Sequence, residues 1–173
     1  SGRRPCNLAR SWSEPPVTAT TVAFVLDGAQ VEVPAGGSLL DALRESLGVR
    51  SAKDGCSPQG QCGCCTVWID GQPRVACVTQ VTRVAGRAVT TIDGLPDAEA
   101  WADAFLDHGG SQCGFCTPGI IMRAAALDPA QRAQPEAVRQ AMLAHLCRCT
   151  GWQTIIESVA AVGTPGRRTY DRE

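Results

Sequence analysis

GCSPQGQCGCCTV, residues 55–67, is the stretch on which the reading of this chain turns. Its cysteines Cys56, Cys62 and Cys65 are joined by Cys77 in the spacing C-x5-C-x2-C-x11-C, and Gly55, Gly60 and Gly63 leave the backbone free to curl and aim N–H groups at sulfur. Working outward, a second quartet follows with a different spacing, Cys113-x2-Cys116-x30-Cys147-x-Cys149. The two quartets use eight of the ten cysteines. Four thiolates drawn from two loops suit a tetrahedral zinc ion or an iron–sulfur cluster. Two redox centres in one small chain would make a wire for electrons.

Ten cysteines in 173 residues could also build a secreted disulfide scaffold. The pairs C-x2-C and C-x-C speak for metal instead, and an apolar fraction of 44% is ample for packed cores without disulfides. Reduced cysteines point to the cytoplasm. No apolar run approaches the roughly 18 residues of a spanning helix, so no membrane span is expected. The N-terminus lacks the apolar region of a signal peptide; Arg3-Arg4 resembles the pair that opens a twin-arginine signal, but the residues from Cys6 to Glu14 are mostly polar or small. The formal net charge of -1, with arginines scattered along the chain, gives no support to nucleic-acid binding.

The length admits two small domains, each stapled by its own metal centre. Residues 1–17 carry Arg, Ser and Pro without periodicity and read as an arm. The β-rich stretches TVAFVL (21–26) and AQVEV (29–33) flank Asp27-Gly28, a hairpin turn signal. Ser38 is positioned to cap LLDALRESLG (39–48), in which Leu39, Leu40, Leu43 and Leu47 recur at helical spacing and Gly48 stops the helix. TVWID (66–70), RVACVTQV (74–81) and RAVTTI (87–92) add three short strands, the second carrying Cys77. Residues 18–95 therefore read as an α+β sheet domain that ends where turn residues gather at 92–96.

From Asp97 the pattern is helical: DAEAWADAFLDHG, PGIIMRAAAL, PEAVRQAMLAHL and GWQTIIESVAAVG predict four helices forming a bundle over residues 96–162, with 163–173 as a tail. Thr117 and Thr150 each follow a cysteine pair and are expected to be helix N-caps, so that two helix N-termini face one anionic centre. Trp101 and Phe105 are expected in the core. His108 and His145 are near the cysteine motifs, but each quartet already has four thiolates, and neither is taken as a ligand. Cys64 lacks the C-x2-C relation to Cys62 that Cys65 has, and is read as a buried non-ligand thiol; Cys6 is read as a bystander.

These motifs carry a resemblance. GCSPQGQCGCCTV followed by Cys77 is similar to the plant-type ferredoxin half of the iron–sulfur small subunit of the molybdenum hydroxylases, the xanthine dehydrogenase, aldehyde oxidoreductase and carbon monoxide dehydrogenase family. QCGFCTPG (112–119) and LCRCTGW (146–152) resemble its other half, and the similarity extends over roughly residues 20–162. The resemblance implies a β-grasp ferredoxin-like domain followed by a four-helix bundle. It implies one 2Fe-2S cluster on Cys56, Cys62, Cys65 and Cys77, and a second on Cys113, Cys116, Cys147 and Cys149. It further implies that Gln112 and Cys149 approach a molybdopterin held by a large partner subunit. Two departures are present: five residues, not the usual four, separate Cys56 from Cys62, and Cys64 stands where a small Ala is common.

The function so implied is electron transfer from a partner's molybdopterin, through the helical-half cluster and then the ferredoxin-like cluster, to an FAD-binding medium subunit or another acceptor. The catalytic substrate site would lie outside this chain. Each oxidised two-iron cluster with its thiolates and sulfides carries about -2, which would take the loaded chain to about -5 and demand many nearby N–H donors. A free-standing ferredoxin-like carrier and a zinc-binding structural module are the competing readings. The plant-type loop speaks against zinc, and the shortness of the chain speaks for partners.

Overall fold

The computed structural model describes residues 20–163; the expected arm with Cys6, and the tail after Gly163, lie outside the described residues. Strands β1 (Thr21–Leu26) and β2 (Ala29–Pro34) pair antiparallel from Thr21 opposite Pro34 to Leu26 opposite Ala29. The turn between them has φ +48° at Asp27 and +86° at Gly28, the double positive φ of the two-residue hairpin turn that follows strand twist. Along β1 the alternation of Val22, Phe24 and Leu26 turns one face inward. Ser38 forms a capping box with Asp41 and opens α1 (Leu39–Asp41), which continues as a π-helical stretch over Ala42–Ser46, closed by Leu47 N–H to Ala42 C=O at 3.1 Å. The expected amphipathic helix is present, with its second half wound wider than an α-helix. Leu39, Leu40 and Leu43 pack with Val22, Phe24, Val33, Val67 and Val89 in the sheet core.

β3 (Thr66–Ile69), β4 (Gln72–Val75) and β5 (Ala88–Thr90) complete a mixed five-stranded sheet in the order β2-β1-β5-β3-β4. β5 runs parallel to β1 and antiparallel to β3. The strand expected over RVACVTQV is not formed beyond Val75: Ala76–Val78 and Val81–Val84 are 3-10 turns. Cys77 consequently sits on a turn. The bond from Ala76 N–H to Cys65 C=O, 3.1 Å, holds the start of that turn beside Cys65, which a continuing strand would have carried Cys77 past.

The second half holds α2 (Ala98–Asp107), α3 (Thr117–Ala124), α4 (Pro129–Arg132), α5 (Pro135–Ala141) and α6 (Trp152–Ala161). Four of these match the periodic segments; α4 is one extra turn, capped by Asp128 and Gln131, inside a stretch whose residues have no helical periodicity. α6 packs against α2 and α5 over a core of Trp101, Phe105, Ile120, Met122, Val138, Ile155 and Val159. Trp101 and Phe105 meet at 6.5 Å between ring centroids, as expected of core residues. The threonine caps are not formed. Cys116 is the N-cap of α3 and Gly151 that of α6, while the Thr117 hydroxyl pairs with Ser111 at 2.9 Å and the Thr150 hydroxyl with the Cys149 thiol at 3.8 Å.

The halves are locked by close contacts. The Trp68 indole on β3 donates to Met122 C=O on α3 at 2.6 Å. Gly119 of α3 lies so near the first cysteine loop that a Cβ there would overlap Gly63 O and come within 2.9 Å of Cys64 Cα.

Candidate metal centres

The first cysteine loop is shaped by its own polar groups. Asp54 accepts the Ser57 N–H at 2.9 Å, Lys53 N–H reaches Cys64 C=O at 3.1 Å, and Gly63, at φ +68°, turns its carbonyl to Thr66 N–H at 3.1 Å. At the loop tip the Cys56 thiol accepts the Gln59 N–H at 3.3 Å, and backbone N–H groups of Gln61 and Gln59 draw it down to about 6. Cys62, Cys65 and Cys77 are buried. Burial, opposed by the Cys77 and Ala76 backbone, pushes the Cys65 thiol up to about 12. Cys56 meets Cys62 and Cys65 meets Cys77, while the Cys62 side chain also touches the Cys64 thiol.

In the second quartet, Cys113 and Cys116 lead into α3, while Cys147 and Cys149 lead into α6. Cys149 Sγ is 3.4 Å from Cys113 Sγ across 36 residues of sequence, and Cys116 interacts with Cys147. Burial pushes Cys116 up to about 12. Burial also works against ionising Cys147, yet the Thr150 N–H and hydroxyl and neighbouring cysteine groups bring it down to about 7, with the Thr150 N–H 3.4 Å from the sulfur. Cys149 is lowered by the Cys113 backbone and thiol. Cys113 and Cys149 are exposed, as is Gln112 beside them.

All nine described cysteines are free thiols, and among the described residues no three His, Cys, Asp or Glu side chains converge as a preformed site for one cation. Zinc would need four donors about 2.3 Å from a single point, whereas a two-iron cluster is clasped by two thiolate pairs set apart by the width of its core. Four thiol pairs, with N–H donors already directed at Cys56 and Cys147, fit two such clusters. Were a metal held by Cys65 or Cys116, the thiol would have to give up its proton.

The two loops touch. Leu146 N–H donates to Cys62 C=O at 3.0 Å, one residue before Cys147. Cys64 lies between the quartets, its thiol donating to Cys62 C=O at 3.6 Å while burial and the charges of Cys62, Cys116 and Cys65 hold it up at about 12. His108 caps the end of α2 through its backbone N–H. His145 is buried, held down at about 4 by burial and the Arg123 charge against the pull of the Gly119 backbone, and its ring lies against Gly63. The expectations from sequence did not include this contact; a glycine required between two cysteines was the one signal for it.

Two sequence families match the chain, one described as "2Fe-2S iron-sulfur cluster binding domain" over residues 19–94 and one as "[2Fe-2S] binding domain" over residues 91–160. The small subunit of nicotine 6-hydroxylase from Paenarthrobacter nicotinovorans is 39% identical over 140 residues, spanning 79% of this chain and 83% of that protein. Aldehyde oxidoreductase of Megalodesulfovibrio gigas is 43% identical over 138 residues, and there the match takes in 73% of this chain but only 15% of the relative's length. Among solved structures, a chain of quinoline 2-oxidoreductase from Pseudomonas putida 86 superposes with a TM-score of 0.75 at 37% identity, covering 82% of this chain and 90% of its own.

Proposed function

The chain belongs to the iron–sulfur subunits of the molybdenum hydroxylases, and from that premise we propose that it relays electrons out of a molybdopterin centre held by a large partner subunit. Cys113, Cys116, Cys147 and Cys149 hold the entry cluster and Cys56, Cys62, Cys65 and Cys77 the exit cluster. Gln112 and Cys149 face the pterin, and an FAD-binding medium subunit or another carrier accepts at the far side. The domains divide at 18–95 and 96–162, the first a β-grasp ferredoxin-like unit and the second a four-helix bundle, in the cytoplasm. Each two-iron cluster, when bound, takes up and gives back one electron at a time.

The chain's own residues supply position and exclusion of water. The observation that carries the reading is the bond from Leu146 to Cys62, which joins the two cysteine loops directly and so brings both candidate clusters to one junction. Exposure of Gln112, Cys113 and Cys149 on one side supports a covering partner there, and disfavours a free-standing carrier, whose entry cluster would be left open to solvent. No helix among the described residues is long and apolar enough to cross a membrane.

The test is to purify the chain together with whatever binds it, assay iron, zinc and molybdenum, and follow dithionite reduction by electron paramagnetic resonance. The expected result is a complex containing molybdenum with two distinct reduced two-iron signals. A colourless zinc protein, or an iron protein that stays an 18.2 kDa monomer beside its co-expressed large subunit, would overturn it.

A further inference from the structure

We propose that His145 is a positioning residue that fixes the spacing of the two cysteine loops and thereby sets how strongly the two clusters sense each other; the inference rests on the reading of both quartets as cluster ligands. In the segment that carries Cys147 and Cys149, Leu143, Ala144, Leu146 and Arg148 are exposed, with Leu143 at 77% and Leu146 at 59%. Their side chains cannot anchor it. His145, at 6%, is its one buried side chain, and the ring packs where a Cβ on Gly63 would overlap it.

Hydrogen bonding fixes the ring's orientation. The Thr66 hydroxyl has one proton and gives it to Gly63 C=O at 2.7 Å. The contact of 3.2 Å between Thr66 Oγ1 and His145 Nε2 therefore runs the other way, with Nε2–H donating, while Nδ1 is left without a partner. One imidazole thus ties the Cys147 segment to the residue between Cys62 and Cys64 and to the residue after Cys65. The next peptide N–H, that of Leu146, then falls on Cys62 C=O. Ligand loops are placed to fractions of an ångström by such supporting side chains, and a shell left loose shows in the metal's electronic properties before it shows in the fold.

The experiment uses the intact complex, fully reduced, and reads the magnetic splitting between the two cluster signals together with their midpoint potentials. His145→Ala is expected to keep both clusters while the splitting falls several-fold. His145→Gln, whose amide N–H can still reach Thr66 Oγ1, is expected to restore it, and Thr66→Val to lower it with His145 in place. A splitting and potentials indifferent to all three variants, with both clusters loaded, would overturn the inference, as would a Gln variant no better than Ala. Should the Ala variant fail to load, Thr66→Val and the Gln variant decide. Absence of two iron signals from the wild-type complex would sink the relay reading itself, and is thereby distinct from failure of the His145 inference alone.

Discussion

The two cysteine quartets differ most in what shelters them. In the first, Cys65 and Cys77 belong to the sheet core, whereas Cys62 belongs to the helical core with half-buried Cys56 against it, so the site straddles both halves and three of its four thiols are buried. In the second, only Cys116 is buried, and the Cys113–Cys149 pair lies open. Shelter follows from loop length and placement: the first loop is pinched between β3 and α3, the second sits at the free ends of α3 and α6. The first quartet is mostly buried by the fold, whereas the second leaves two of its thiols on the surface.

Cysteine replacement should separate the two sharply. Cys65→Ser and Cys149→Ser are each expected to cost the loaded chain half its iron, the first variant by losing the sheet-side cluster and the second by losing the helical-side one. The metal-free chains should then diverge. At Cys65 a hydroxyl enters a site 2% exposed, so stability should fall by about 1–3 kcal/mol, while at exposed Cys149 the change should stay within about 0.5 kcal/mol. Iron analysis and urea unfolding of loaded and metal-free forms check this; equal losses in the metal-free forms would erase the contrast.

A smaller effect tests whether the halves act as one body. Gly119→Ala directs a methyl at the Gly63 carbonyl and the Cys64 backbone, and neither can yield as a flexible side chain would. The expected cost is about 1–3 kcal/mol, accompanied by disturbance of both cluster signals at once, because the backbone displaced is that of the Cys62–Cys65 turn and the helix displaced has Cys116 as its N-cap. Disturbance of the helical-side signal alone would mean that the sheet-side loop does not depend on α3 for its shape.

Much of this contrast was legible in the residues. Strands β1, β2 and β3 were marked by alternation and by a two-residue turn, and the Ser38 cap by its place before an apolar run, because these signals are local. What failed was set by distant partners. The segment after Val75 has strand-forming residues but breaks into 3-10 turns to bring Cys77 beside Cys65, and Thr117 and Thr150 yield their expected capping roles to Cys116 and Gly151 beside the cysteine pairs. Spacing alone named the quartets, yet it could not show that their thiols meet in pairs, nor that His145, set aside as a ligand, fills the gap between the loops. The contact of His145 with residues 63 and 66 spans 79 residues of sequence from Thr66, and Gly63 between two cysteines was its one local mark.

The smallest effect lies just past the end of β3 opposite Thr66 and asks whether the sheet half has a stability of its own. Asp70, in the turn between β3 and β4, accepts the Ala88 N–H at 2.9 Å and the Arg87 guanidinium at 2.6 Å, in that order of influence, and its carboxyl is held below the usual carboxylate range. A depressed folded value means stability that is present above the ordinary carboxylate value of about 4 and is lost as pH falls through the folded one. Asp70→Asn should therefore melt slightly below wild type at neutral pH, and the gap should close as the buffer is taken below about pH 4. The group is exposed, so salt should shrink the gap as well. A gap that persists unchanged in acid would assign the loss to the turn's geometry, since Asn would then be failing to accept the Ala88 N–H rather than failing to carry charge.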